Sequence, residues 1–73
     1  MREIKVLSEI SGSVWKIVAA PGDTLDEEQP VMILESMKME IPVLAPERGV
    51  LKTLLVAEGA SVAEGEVVAI LEA

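Results

Sequence analysis

Seventy-three residues suffice for one small domain, which buries only about 60% of its unfolded surface on folding. The chain has neither cysteine nor histidine, which excludes disulfide frameworks, the ordinary zinc sites and every histidine-based catalytic triad. Thirteen acidic against six basic residues give a net charge of −7, which repels phosphate backbones and argues against a nucleic-acid partner.

Half of the residues are hydrophobic, ample for a core, and Val, Ile and Leu dominate while Trp15 is the sole aromatic. That composition favours strands over helices. No apolar run approaches bilayer-spanning length, and the charged start Met1-Arg2-Glu3 does not resemble a signal peptide. The expectation is a cytoplasmic, non-membrane protein, a single domain over 1–73.

In chain order, Ile4-Lys5-Val6 alternates apolar and polar and leads through Leu7 and Ile10 to a turn at Ser11-Gly12-Ser13. A second strand is expected over Val14 to Ala19. The Ala20-Pro21-Gly22-Asp23 turn follows, because Pro presets one dihedral and Gly accepts positive φ. A short strand at Thr24-Leu25, a solvated Asp26–Pro30 connection and a fourth strand at Val31–Glu35 complete the first half. The second half repeats this plan at Met39–Leu44, Val50–Val56, Ser61–Val62 and Val67–Leu71, with turns at Pro46–Gly49, Ala57–Ala60 and Ala63–Glu66. Pro42 requires an edge strand or a nitrogen facing away from any partner.

The repetition is explicit. Residues 3–36 slide by 37 positions onto 40–73 without a gap, and 12 of 34 pairs are identical, from Glu3/Glu40 to Glu35/Glu72. A repeat of this kind is a primary fold signal. Eight short strands with turns every eight to twelve residues predict an all-β flattened barrel-sandwich of two four-stranded antiparallel sheets with pseudo-two-fold symmetry. Only Met37, Lys38 and Met39 separate the half-repeats. A junction between two-fold-related halves belongs at one pole, with the chain ends at the other.

The segment Glu35-Ser36-Met37-Lys38-Met39-Glu40 must then form a hairpin tip. Alternation puts Met37 and Met39 on one side and Lys38 on the other. The usual two-residue turns need positive φ at one or both central positions, which is costly for Met and Lys, and no glycine relieves it. Lys38 is poorly suited to act as a catalytic amine on its own, since its sequence neighbours Glu35 and Glu40 are acidic and no nearby cation would activate it. It suits acylation by an enzyme that brings its own base and an activated donor.

Glu-Ser-Met-Lys-Met-Glu between two related halves, followed by Ile41-Pro42-Val43-Leu44-Ala45-Pro46, resembles the attachment motif of biotinyl domains, the biotin carboxyl carrier family. The resemblance covers the whole chain, including the Gly12, Gly49 and Pro21-Gly22-Asp23 turns. It departs from the usual motif at Ser36, where Ala is common. The gap-free repeat leaves no room for the thumb-like insertion of some carriers, so the chain looks like the small free-standing biotin/lipoyl attachment proteins or a carrier domain cut from a larger carboxylase.

The resemblance implies a non-catalytic carrier. A biotin protein ligase would join biotin to Lys38, and the arm would shuttle a carboxyl group between biotin carboxylase and carboxyltransferase sites. Met37 and Met39 would be read by the ligase, with Glu35, Ser36 and Glu40 as flanking positions. No catalytic or metal-ligating residue is expected. The competing readings are a lipoyl or dual biotin/lipoyl carrier, with lipoate as cofactor, and an unmodified structural adaptor. Trp15, aligned with Lys52, is expected to be at least partly exposed, as contact surface or as edge cover.

Overall fold

A computed structural model describes residues 2–73. The strands are β1 (Glu3–Leu7), β2 (Gly12–Ile17), β3 (Thr24–Leu25), β4 (Pro30–Ser36), β5 (Met39–Leu44), β6 (Gly49–Leu54), β7 (Ser61–Val62) and β8 (Val67–Glu72), with no helix among the described residues. They form two antiparallel four-stranded sheets, ordered β1-β8-β6-β3 and β5-β4-β2-β7. Each sheet takes its central pair from one half-repeat and both edges from the other. The halves are thus interlocked, and neither can form a sheet alone.

The backbone repeats as the sequence does. Val14 N–H donates to the Ala60 carbonyl and Leu51 N–H to that of Asp23, both at 2.8 Å. Val18 to Val31 and Leu55 to Val68 form another related pair, at 3.1 and 3.0 Å. Both β2 and β6 carry a bulge at the same place, so Trp15 and Lys52 are each the extra residue in their strand.

Strands β2 and β6 begin earlier and end earlier than their apolar runs. Gly12 and Ser13 pair with Val62 and Ser61, which makes them strand rather than turn, and beyond Ile17 the bond from Val18 N–H to the Val31 carbonyl is the last to β4 before the Pro21-Gly22 turn. The glycines opening these strands serve close approach. A Cβ on Gly12 would lie 2.6 Å from the Glu35 carbonyl oxygen, and one on Gly49 would lie 2.8 Å from that of Glu72.

The core lies between the sheets and draws on both halves, with Val14, Val31, Met32 and Leu34 facing Leu51, Val68, Ala69 and Leu71. In β4 the expected burial on both faces is nearly met, with Val31, Met32 and Leu34 buried and Ile33 half-buried. β5 is an edge strand, as Pro42 requires. Pro42 stands opposite Ile33, three steps from the closing pair Ser36–Met39. In an antiparallel ladder hydrogen-bonded pairs alternate with non-bonded ones, and counting from a bonded closing pair leaves the proline nitrogen facing outward.

The molecule is elongated, 36 × 18 × 18 Å. β1 leaves one pole at Glu3, opposite Glu72 near the C-terminus, and the chain enters β2 at the other pole, where Ser13 stands opposite Glu35. The β4–β5 hairpin therefore projects from the pole opposite the chain ends.

Candidate functional site

The tip is a two-residue turn closed by Ser36 and Met39. Both central residues are left-handed, Met37 at φ 52° and Lys38 at φ 64°, the conformation of a type I′ turn. Its right-handed twist matches that of the strands, which is why the backbone adopts it despite the side chains. Left-handed residues do not follow strand alternation, so the expected division of Met37 and Met39 from Lys38 does not apply to the two turn residues. Met39 alone keeps its place in the β5 series with Ile41 and Val43.

All three tip residues face solvent, Met37 at 91% and Met39 at 61% exposure, with Lys38 also exposed. Met37 and Met39 are therefore not core packing. Ser36 is half-buried beneath them. Among the described residues no carboxylate forms an ion pair with Lys38. An apolar groove of about 140 Å³ between β5 and the β1–β2 connection is lined by Leu7, Ile10, Leu34 and Ile41 and does not include Lys38. The lysine amine thus stands clear of both ion pairs and groove.

Glu35 and Glu40 stand directly opposite each other in the β4–β5 ladder, a like-charge pair that costs stability. In the related pair at the other pole, Glu72 and Glu3, one of the two carboxylates is compensated: Lys52 Nζ donates to Glu3 Oε2 at 2.5 Å. This bond, and the attraction of the two charges, holds the Glu3 carboxyl below the usual carboxylate range and raises Lys52, to which Glu72 also contributes. A second bridge joins Arg2 to Glu47 at the terminal pole. Its counterparts by the 37-residue shift are Met39 and Ile10, as Trp15 is that of Lys52. A third bridge at this pole joins Arg48 to Asp26 at 3.7 Å, with Ser11 and Ala63 as its counterparts, and none of the three pairs is reproduced at the tip among the described residues.

No single residue signals this contrast, which lies in the comparison of aligned positions of the two half-repeats. Among the described residues no cluster of three or more acidic residues could hold a metal ion, and no helix is long and apolar enough to cross a membrane. Lys38 is thus an exposed primary amine at the tip of a hairpin.

The family model described as biotin-requiring enzyme, the biotin/lipoyl model, matches residues 4–71. The chain belongs to the biotin/lipoyl family. A biotin/lipoyl attachment protein of Bacillus subtilis is 44% identical over 59 residues, covering 81% of both chains. A biotin carboxyl carrier protein of Streptococcus mutans is 40% identical over 55 residues, 75% of this chain and 42% of that one. Among solved structures, the urea carboxylase of Kluyveromyces lactis superposes with a TM-score of 0.93 at 35% identity, over 99% of this chain and 6% of the enzyme. The biotin/lipoyl fold thus occurs both as a small protein and as a small part of a large carboxylase.

Proposed function

We propose that this chain is a biotin carboxyl carrier, a single attachment domain over residues 1–73 whose Lys38 receives biotin and which catalyses nothing itself. The observation that carries the reading is the free amine of Lys38 on a strained two-residue turn between Met37 and Met39, in a member of the biotin/lipoyl family. A biotin protein ligase supplies the activated acyl donor and the base. The Lys38 amine, deprotonated at the ligase, attacks the carboxyl carbon of biotinyl-adenylate, the amide C–N bond forms, and the C–O bond to the AMP phosphate breaks.

Biotin, when bound, supplies the ureido nitrogen on which a carboxyl group travels between a biotin carboxylase site and a carboxyltransferase site. The domain's own contribution is mechanical. The tight turn holds the attachment point clear of the protein surface, Met37 and Met39 present a thioether pair for the ligase to read, and tethering keeps the arm at high effective concentration near its partner sites.

The test is intact mass and peptide mapping after incubation with ATP, biotin and a biotin protein ligase, beside lipoate with a lipoate ligase. One biotin on Lys38, absent in Lys38→Ala, is expected. Lipoate in its place would turn the reading to a lipoyl carrier, and modification by neither would leave a structural adaptor as the better account.

A further inference from the structure

The two poles of the molecule are built from the same backbone, so differences at related positions separate what folding requires from what it does not. At the bulge of β6, Lys52 bonds Glu3 and closes the outer face of its sheet. At the related bulge of β2, Trp15 is 50% exposed, and the related carboxylate, Glu40, has no cationic partner among the described residues. A lysine at position 15 would serve the fold as Lys52 does. The chain carries instead a large indole in solvent, beside the facing carboxylates of Glu35 and Glu40.

We infer that Trp15, with Glu35 and Glu40, forms the docking surface for the enzyme that acylates Lys38, an inference that rests on the carrier reading above. The register puts these residues on one patch: Ser13, Glu35 and Glu40 lie at one level across β2, β4 and β5, and Trp15 lies between that level and the row of Lys16, Ile33 and Pro42. At about 3.3 Å per residue along a strand and 4.8 Å between strands, the patch begins roughly 7 Å from Lys38, at Glu40, and reaches about 15 Å at Trp15.

Its chemistry defines the partner surface. An indole at a desolvated contact needs an apolar slot, and aromatic anchors of this kind dominate binding energy. Two uncompensated carboxylates need lysine or arginine on the facing surface, which also steers a chain of net charge −7 towards it. The ligase fits better than the carboxylase subunits because it must bring the Lys38 nitrogen itself to its reaction centre, so its surface has to enclose the hairpin and its flanks. Partners acting at the far end of the biotin arm stand a full arm's length away.

The experiment is steady-state biotinylation of the apo-protein by a purified biotin protein ligase, comparing wild type with Trp15→Lys, Glu40→Lys and Lys52→Trp. Trp15→Lys copies the residue of the related bulge, and Glu40→Lys relieves the Glu35–Glu40 repulsion, so neither threatens the fold; thermal melts check this. The expected result is a KM for the apo-protein raised at least tenfold in both, with kcat within about twofold, while Lys52→Trp changes neither. A KM for Trp15→Lys within twofold of wild type overturns the inference. So does normal ligation with loss confined to the carboxylase reaction of the biotinylated variant, which would assign the patch to the carboxylase. Failure of the wild type itself to accept biotin would instead sink the carrier reading, and the docking surface with it.

Discussion

Gly12 lies so close to Glu35 that a Cβ on it would come within 2.6 Å of the Glu35 carbonyl oxygen. The obstacle is backbone, which cannot swing aside as the end of a long side chain can. Gly12→Ala is therefore expected to push β2 away from β4 and to cost about 1–3 kcal/mol, the range of overpacking in a tight interior. Gly49→Ala, against the Glu72 carbonyl at 2.8 Å, should cost a similar amount. Urea unfolding of both variants measures this. Only Gly12→Ala should also slow ligation, since only Gly12 abuts the strand that leads into the Lys38 turn.

Two exposed ion pairs at the terminal pole give a pH dependence with a defined sign. Hydrogen bonds from Lys52 and Arg2 hold the Glu3 and Glu47 carboxyls below the usual carboxylate range. A carboxyl depressed in the folded state contributes stability above its unfolded value, about 4.3 for Glu, and loses it as pH falls through the folded value. Lys52, raised by Glu3, contributes below its unfolded value and loses that contribution only in strong alkali. Glu3→Gln/Glu47→Gln should melt below wild type at pH 7, and the gap should close at about pH 3. A gap that persisted undiminished at pH 3 would show that the variants act by some means other than charge.

Glu28 is left-handed, with φ 68°. Its counterpart by the 37-residue shift is Gly65, φ 85°. Both donate N–H bonds in related places, Glu28 to the Ala45 carbonyl at 2.8 Å and Gly65 to that of Ser8 at 2.7 Å. A left-handed residue with a side chain costs about 1–2 kcal/mol, and the added freedom of an unfolded glycine returns about 0.4–1 kcal/mol of that. Glu28→Gly should accordingly raise stability by about 0.5–1 kcal/mol, or several degrees in Tm for a domain of this size. A lower Tm would mean that the Glu28 side chain makes a stabilising contact.

The strands, the two sheets and the polar placement of Lys38 were legible because repeat, alternation and turn chemistry all point to one architecture. The interlocking of the halves was not, since a repeat identifies related strands without saying which sheet each joins. That β2 and β6 start earlier than their apolar runs was not legible either, because glycine reads as a turn signal, whereas Gly12 and Gly49 are strand residues whose lack of a side chain permits close approach. The exposed position of Lys38 and its flanking methionines at the hairpin tip is legible from their place at the repeat junction. The aligned repeats contain the exchanges of Lys52 for Trp15 and Arg2 for Met39, but the ion pairs these exchanges remove join residues 49 and 45 apart in sequence and are visible only in the folded chain.

The turn at Met37-Lys38 holds two non-glycine residues in the left-handed region, where Asn-Gly is the favoured pair. Local strain of this kind costs about 1–3 kcal/mol per residue and persists where the surroundings over-determine it. Here the eight-stranded frame does so, with Ser36 and Met39 locked as a closing pair. Met37→Asn/Lys38→Gly should then unfold at higher urea concentration than wild type, by about 1–3 kcal/mol in total, while accepting no biotin. Lys38→Gly alone should recover part of that gain, and Lys38→Ala much less, because alanine keeps a Cβ at φ 64°. If the double variant is no more stable than wild type, the tip stores no strain, and a reason other than backbone geometry must be sought for Met and Lys at these positions. If the gain appears, the chain sustains a less stable hairpin in order to present an amine between two thioethers, which is the cost expected of a site kept for modification rather than for folding.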